Sequence, residues 1–290
     1  MAHDFPTIKL TMISNQYILT MKNLKVIMLA GALAITASAS AQFANTGNAS
    51  KSGSTTSVGS YKDTNPYNRI SVSYINETIK PDFKDADNQS TSGFGLKYIH
   101  GFSLSNTLPL FLETGLDLHV GFWSDANDYT VGYGNESYGY VPYDAEWKQK
   151  LTTMNLAIPV NIAYKFNINE DFSIQPYLGL NFKFNVLGKI KNSIEITDKA
   201  SNAGELQEKI DDLSDKEFEE HFMKKEVNMF DKDDTGSKDS AWKRFQMGWH
   251  IGVGFNYKAF NIGVSYGTDF IALCKKTNTS TLSVGVGINF

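Results

Sequence analysis

Between Arg69 and Phe290, apolar residues recur at every second position in eight separate stretches. A period of two is the mark of a strand with two unlike faces. The stretches cover about Arg69–Ile75, Phe94–Ser103, Leu110–Trp123, Leu151–Phe166, Phe172–Leu187, Phe245–Tyr257, Ala259–Tyr266 and Thr281–Phe290. In the last of them Leu282, Val284, Val286, Ile288 and Phe290 share one face, and Ser283, Gly285, Gly287 and Asn289 share the other. His100 interrupts the apolar face of the second stretch, where a bulge would fit. The pattern predicts eight strands.

The connections alternate as regularly as the strands. Leu104–Pro109, Asn167–Asp171 and Lys258-Ala259 are short, while the other four connections are long and polar. Bacterial outer-membrane barrels have short periplasmic turns, long extracellular loops and an even strand number. The predicted fold is therefore all-β: an eight-stranded antiparallel up-and-down transmembrane β-barrel. A soluble lipocalin-type barrel also has eight strands, and alternation alone does not say which face is outside. The loop asymmetry, the final Phe290 and the aromatic strand ends Trp123, Tyr164, Phe166 and Tyr257 favour the membrane form. Phe290 is then expected to act as the assembly signal.

The first residues agree on the compartment. Lys22 and Lys25 precede an apolar run, Val26–Thr36, which is too short to span a bilayer. Ala39 and Ala41 fit the small-residue cleavage rule. We read 21–41 as a signal peptide, 1–20 as an extension or mis-assigned start, 42–68 as a flexible lead-in and 69–290 as the barrel. Losing residues 1–41 removes Lys9, Lys22, Lys25 and Asp4, which takes the net charge from −4 to −6 and argues against nucleic acid as a partner. The single cysteine, Cys274, excludes an internal disulfide. A mean hydropathy of −0.28 excludes a helical membrane protein but not a barrel, in which only alternate residues meet lipid.

The inner face carries the charge. Arg69, Lys97, Glu113, Asp117, His119, Lys165 and Lys183 fall on it, with glycine and serine dominating the last three strands. Eight strands leave an interior that side chains just fill, and buried charges must pair. Glu113 and Asp117 are expected to pair with Lys97, Lys165, Lys183 or Arg69. A polar plug fits that interior better than an ion or proton path. Asp117 and His119 could form an acid–base pair near the outer end of the third strand, but no further catalytic partner stands out. No catalytic, cofactor or metal residues are assigned. Asp231-Lys-Asp-Asp-Thr-Gly236 resembles half a calcium loop, yet Trp242 stands where the closing glutamate belongs.

Two long loops hold further signals. Leu206, Ile210 and Leu213 are spaced for one helical face, and Ser214-Asp-Lys-Glu217 is a capping box opening a second helix with Phe218 and Phe222. This predicts a helical insert in the third extracellular loop. Ser124–Lys150 reads as a loop carrying Tyr129, Tyr133, Tyr138, Tyr140 and Tyr143, suited to recognition or to an interfacial rim.

The chain resembles the small outer-membrane β-barrel proteins of Bacteroidetes, the PorT-like group. The resemblance rests on the signal peptide ending Ala41-Gln42, Met154-Asn-Leu-Ala-Ile-Pro-Val160, Pro176-Tyr-Leu-Gly-Leu180 and the closing Val286-Gly-Ile-Asn-Phe290. It implies outer-membrane residence, contact with outer-membrane lipid, assembly by the barrel-assembly machinery and no established catalytic residues. The expected role is non-enzymatic: surface recognition of an extracellular protein or glycan, or a structural one. A small porin, a barrel enzyme and a soluble ligand-binding barrel are the alternatives, in that order.

Overall fold

The computed structural model describes residues 7–11, 63–82, 86–135 and 139–290. The signal peptide, most of the lead-in and Tyr138 lie outside the described residues. Eight long strands make up the barrel: β1 (Tyr67–Pro81), β2 (Gln89–Ser103), β3 (Leu110–Asn135), β4 (Gly139–Tyr164), β5 (Phe172–Ile196), β6 (Phe245–Tyr257), β7 (Phe260–Asp269) and β8 (Thr277–Asn289). Each pairs antiparallel with its sequence neighbours. β8 then pairs with β1, from Thr277 opposite Pro81 to Asn289 opposite Arg69, and the ring of eight closes. A closed ring leaves no unpaired edge within the wall, which is what lets a sheet cross hydrocarbon.

The apolar face of the alternation is the outer one. Phe94, Leu96, Leu116, Phe122, Leu178, Ile251, Ile262, Val286 and Ile288 are exposed on the wall, while Arg69, Glu113, Asp117, Gln175 and Lys183 between them are buried. A soluble barrel would show the reverse. Trp123 is a correction: it turns inward to pack near Ile79, Leu151 and Leu273 and does not join an outer aromatic rim. No helix among the described residues is long and apolar enough to cross a membrane, which says nothing against crossing by strands.

Most strands run further than the alternation suggested, β3, β4 and β5 furthest of all. β3 and β4 stay paired out to Asn135 opposite Gly139, so the expected tyrosine loop is a tall β-hairpin. Ser124 to Asp128 are all exposed, because both faces of the hairpin are wet there and an apolar face has no purpose. β5 continues to Ile196 beside β4. A register shift opposite Met154/Asn155 puts an extra residue, Val186, into β5. Beyond it the inward positions change from odd to even: Lys183 and Asn185 are buried below the shift, Asn192 and Ile194 above it.

Between β5 and β6 lie two helices, α1 (Ala203–Asp211) and α2 (Asp215–His221). Ser214 and Glu217 form a full capping box at the start of α2. Leu206, Ile210 and Phe218 bury themselves against Tyr129, Val131, Tyr143, Ala145 and Ile194 of the extended strands. Tyr129 and Tyr143 are thus core residues of the insert and are not presented to a ligand. The physical reason is that a short amphipathic helix pair needs an apolar floor, and the tyrosines supply it. A short segment, Thr7–Thr11, pairs antiparallel with Thr130–Gly134 of β3.

Candidate functional site

The interior is stacked in layers from the short-turn end to the long-loop end. At the base Arg69 donates to Gln175 Oε1 at 2.9 Å across the barrel and to Asn289 Oδ1 at 2.8 Å. Its guanidinium lies 3.7 Å from Glu113. Glu113 also accepts from Asn161 Nδ2 at 3.0 Å and from the hydroxyl of Tyr67. Above it Lys97 Nζ sits 2.8 Å from Asp117 Oδ2, and His119 Nε2 sits 2.8 Å from Asp117 Oδ1. In the next layer Lys183 Nζ reaches Glu77 Oε1 and Asp269 Oδ2, both at 2.6 Å. Thr279 donates to the same Asp269 carboxylate and accepts from Gln246 Nε2 at 3.2 Å.

These bonds run between strands far apart in sequence, so the ion pairs brace the wall as well as fill it. Each charge has a partner, which is the condition for burying it without a cost of several kcal/mol. The free space left at mid-height is about 40 Å³, lined by Lys97, Asp117, His119, Asn181 and His250. That holds a few waters at most. A larger cleft of about 260 Å³ opens at the short-turn end, lined by Asp63, Tyr67, Arg69, Lys165, Asn256 and Phe290.

An apolar layer closes the other end. Ile79, Leu151 and Leu273 are buried together, with Trp123, Ile190, Met229 and Trp242 packed against them. The helical insert packs on the inward side of the strands beyond. A column of polar side chains is thus finished by a hydrophobic seal.

The expected pairings come out unevenly. Glu113 meets Arg69, and Asp117 meets Lys97. Lys183 pairs instead with Glu77 and Asp269. Lys165 lies at the mouth of the cleft and holds Asp63 of the lead-in, because it stands at the last rung of the wall, where β4 is interrupted before Phe166–Asn167 resumes pairing with β5. The Asp63 carboxyl meets desolvation that would raise its pKa, but the Lys165 ammonium outweighs it and holds the group below the usual carboxylate range. His119 is not at a strand end. β3 runs on to Asn135, so His119 is buried at mid-barrel, out of reach of a substrate.

Sequence reasoning missed Glu77 and Asp269. Both continue the inward parity of their strands, two or three residues past the point where apolar alternation stops. Extending the inner face by one step finds Glu77, and by two steps Asp269. Phe290 is exposed beside the base cleft, and its backbone exchanges both hydrogen bonds with Asn68 at 2.9 Å. Tyr133 is partly buried beside the insert and accepts from Lys209. Tyr140 lies near the hairpin tip. Asp231 and Asp234 cap turns: Asp231 Oδ1 accepts from Asp233 N at 2.8 Å and Asp234 Oδ2 from Asn228 N at 2.8 Å. Among the described residues no three of His, Cys, Asp and Glu gather as a metal-binding group.

The family model described as outer membrane protein beta-barrel domain matches residues 67–270. No curated protein matches the chain. Several solved structures are similar. Ail, the attachment invasion locus protein of Yersinia pestis, in complex with the heparin analogue sucrose octasulfate, is 18% identical, with 78% of this chain and 99% of that one covered at a TM-score of 0.33. Neisserial surface protein A is 12% identical, covering 77% and 97% at 0.34. The outer membrane protein OprG of Pseudomonas aeruginosa is 13% identical, covering 77% and 96% at 0.27. Scores this low carry no argument, so the fold rests on the strand pairings above. With well over half its length matched by the family model, the chain belongs to the outer membrane protein beta-barrel domain family and resides in the bacterial outer membrane.

Proposed function

We propose that this protein is a non-conducting, non-enzymatic up-and-down barrel that presents a recognition or structural module at the cell surface. The observation that carries the reading is the closed interior: three layers of ion pairs stand beneath a seal of Ile79, Leu151, Leu273, Trp123 and Trp242. The ordered mass outside the wall is at the long-loop end, where the β3–β4 hairpin and the helical insert share one core. Long loops of such barrels face outward, so the hairpin and helices are extracellular and the cleft at Lys165 is periplasmic. The resemblance to PorT-like proteins of Bacteroidetes belongs to the same reading, as do the signal peptide, biogenesis by the barrel-assembly machinery and an extracellular protein or glycan as ligand. The exposed part of the insert and the hairpin tip carry the recognition surface; the buried Tyr129 and Tyr143 do not.

Planar-bilayer recording tests the claim directly. The purified barrel is expected to add no current steps above the bare membrane. Discrete, voltage-stable steps would instead support the small-porin reading.

A further inference from the structure

We propose that the outward face of β4 and β5, just beyond the apolar band, is a binding site for a phosphorylated glycolipid of the outer leaflet. The inference rests on the orientation given above, with the long-loop end outside. On β4 the outward residues Ile162, Ile158 and Leu156 give way to Thr152 and Lys150. On β5 Leu178, Leu180 and Phe184 give way to Lys189 and Lys191. Lys189 stands two residues past Leu187, and Lys150 four past Met154. At about 3.3 Å per residue and a strand tilt near 40°, their backbones lie roughly 5 and 10 Å above the band. The headgroup layer is roughly 5–8 Å deep, and a lysine stem can lie back along the wall to bring its ammonium into it.

The charges gather on that one side and are short of counter-charge. Lys150 stands directly opposite Lys191 across the two strands, and like charges so placed repel. Glu226–Asn228 runs along the other side of β5, and its Glu226 is shared: it lies 3.3 Å from Lys191 and also meets Lys189. Glu146 and Glu195 are engaged with Lys148, and no ion pair among the described residues includes Lys150. Arg244 donates to the backbone carbonyls of Asn185 at 3.4 Å and Val186 at 3.2 Å, where the wall bulges. Three lysines and an arginine thus have one carboxylate among them, and exposed pairs of that kind hold weakly. Across the barrel a row past the apolar band reads Thr268, Ser280, Thr78 and Ser90, joined by register and uncharged. Lys80, one step beyond Thr78, is a lone cation there.

The position names the occupant. The outward wall at this height faces lipid headgroups, and in the outer leaflet of a bacterial outer membrane these carry phosphorylated sugars. A phosphate seated between Lys150 and Lys191 supplies the missing negative charge to both ammoniums and accepts charge-assisted hydrogen bonds from them. Beneath it the register shift leaves two successive residues, Val186 and Leu187, both exposed. Together they offer an acyl chain a wider apolar strip than strict alternation would. A cationic rim above an apolar floor suits an anionic lipid, whereas free phosphate has no use for the floor.

The test uses the barrel purified from outer membranes into a neutral detergent. It is titrated with diphosphorylated lipid A and with the same lipid after dephosphorylation, and bound lipid is counted by native mass spectrometry. Saturable binding with an about tenfold preference for the phosphorylated form is expected. Lys150→Gln with Lys191→Gln should erase most of that preference, and Lys80→Gln should keep it, with the folded state of each checked on unboiled gels. Glu226→Gln removes the shared carboxylate and should tighten binding severalfold, which reads the site even where the double variant does not fold. Equal binding of the two lipids, an unchanged preference in the folded double variant, an equal loss in Lys80→Gln, or no tightening in Glu226→Gln would overturn the proposal. Competition by glucose 1-phosphate at the same concentration as the lipid would also overturn it, by marking a site for free phosphate. Labelling of Asn127→Cys on intact cells separates the two levels. A labelled hairpin on a barrel with no lipid preference sinks the lipid site alone; an unlabelled hairpin sinks the orientation beneath it, and the outer-leaflet lipid with it.

Discussion

Lys183 shows how much one side chain can hold. It crosses the barrel from β5 to reach Glu77 on β1 and Asp269 at the end of β7. Lys183→Met leaves two buried carboxylates facing each other without a counter-charge. Breaking a buried pair in this way costs about 3–5 kcal/mol. On unboiled gels the variant should convert to the unfolded band at a lower temperature than the parent. Adding Glu77→Gln and Asp269→Asn should restore most of the loss; no recovery would show that Lys183 acts through packing alone. Six interior residues, Arg69, Lys97, Glu113, Asp117, His119 and Lys183, were legible in the sequence because they break the apolar alternation, while Lys165 stands at the mouth of the cleft. Glu77 and Asp269 were not, because the outward residues just before them, Asn76 and Thr268, had already turned polar and ended the apolar alternation. The inner face outlasts the outer one, and a strand read from its apolar face ends too early.

At the scale of the element the same physics separates what was readable from what was not. The start of helix α2 was legible to the residue, since Ser214 and Glu217 declare its first turn; its end was not, because the helix stops at His221 and Phe222 is its cap. The β3–β4 hairpin was taken for a loop because Ser124–Asp128 is wet on both faces and has no period, which separates the wall from the buried face that Tyr129 and Val131 form beyond it. The inward turn of Ile194 was hidden by the extra residue Val186, which reverses the parity of β5. The capping box makes a pH prediction. Hydrogen bonds from the Ser214 side chain and amide hold the Glu217 carboxyl below its ordinary value of 4.5. A depressed folded pKa contributes stability above the unfolded value, and that contribution is lost as pH falls through the folded one. Amides of α2 should therefore exchange faster relative to those of α1 at about pH 3.5 than at pH 6, after correction for intrinsic rates. Glu217→Gln should abolish that difference; a parent helix with no such change would remove the box from any role in stability.

The whole molecule depends on one seam. The ring closes where β8 meets β1, and its last bonds at the base are the two between Phe290 and Asn68. Deleting Phe290 removes both, together with the exposed aromatic that follows β8. The expected result is a severalfold smaller folded fraction in the membrane, read as the unshifted band before boiling; an unchanged fraction would mean that the seam forms without its final pair. The eight-fold count, the alternation of short and long connections and the outward apolar face were all legible, because bilayer crossing imposes them on every strand. The apolar seal was not. It draws Leu273 from the β7–β8 connection and Trp242 from the loop before β6, and no period in the chain links such positions.

That seal makes the barrel's interior asymmetric toward solution. Hydrophobic side chains close the outer end, and the 260 Å³ cleft opens the inner one. In the proposed orientation the buried Lys, Asp and His groups exchange protons and water with the periplasm and are insulated from the medium. An acid pulse outside a cell with an intact outer membrane would reach α2 at once, and the ion pairs of the lumen only after the periplasm had followed.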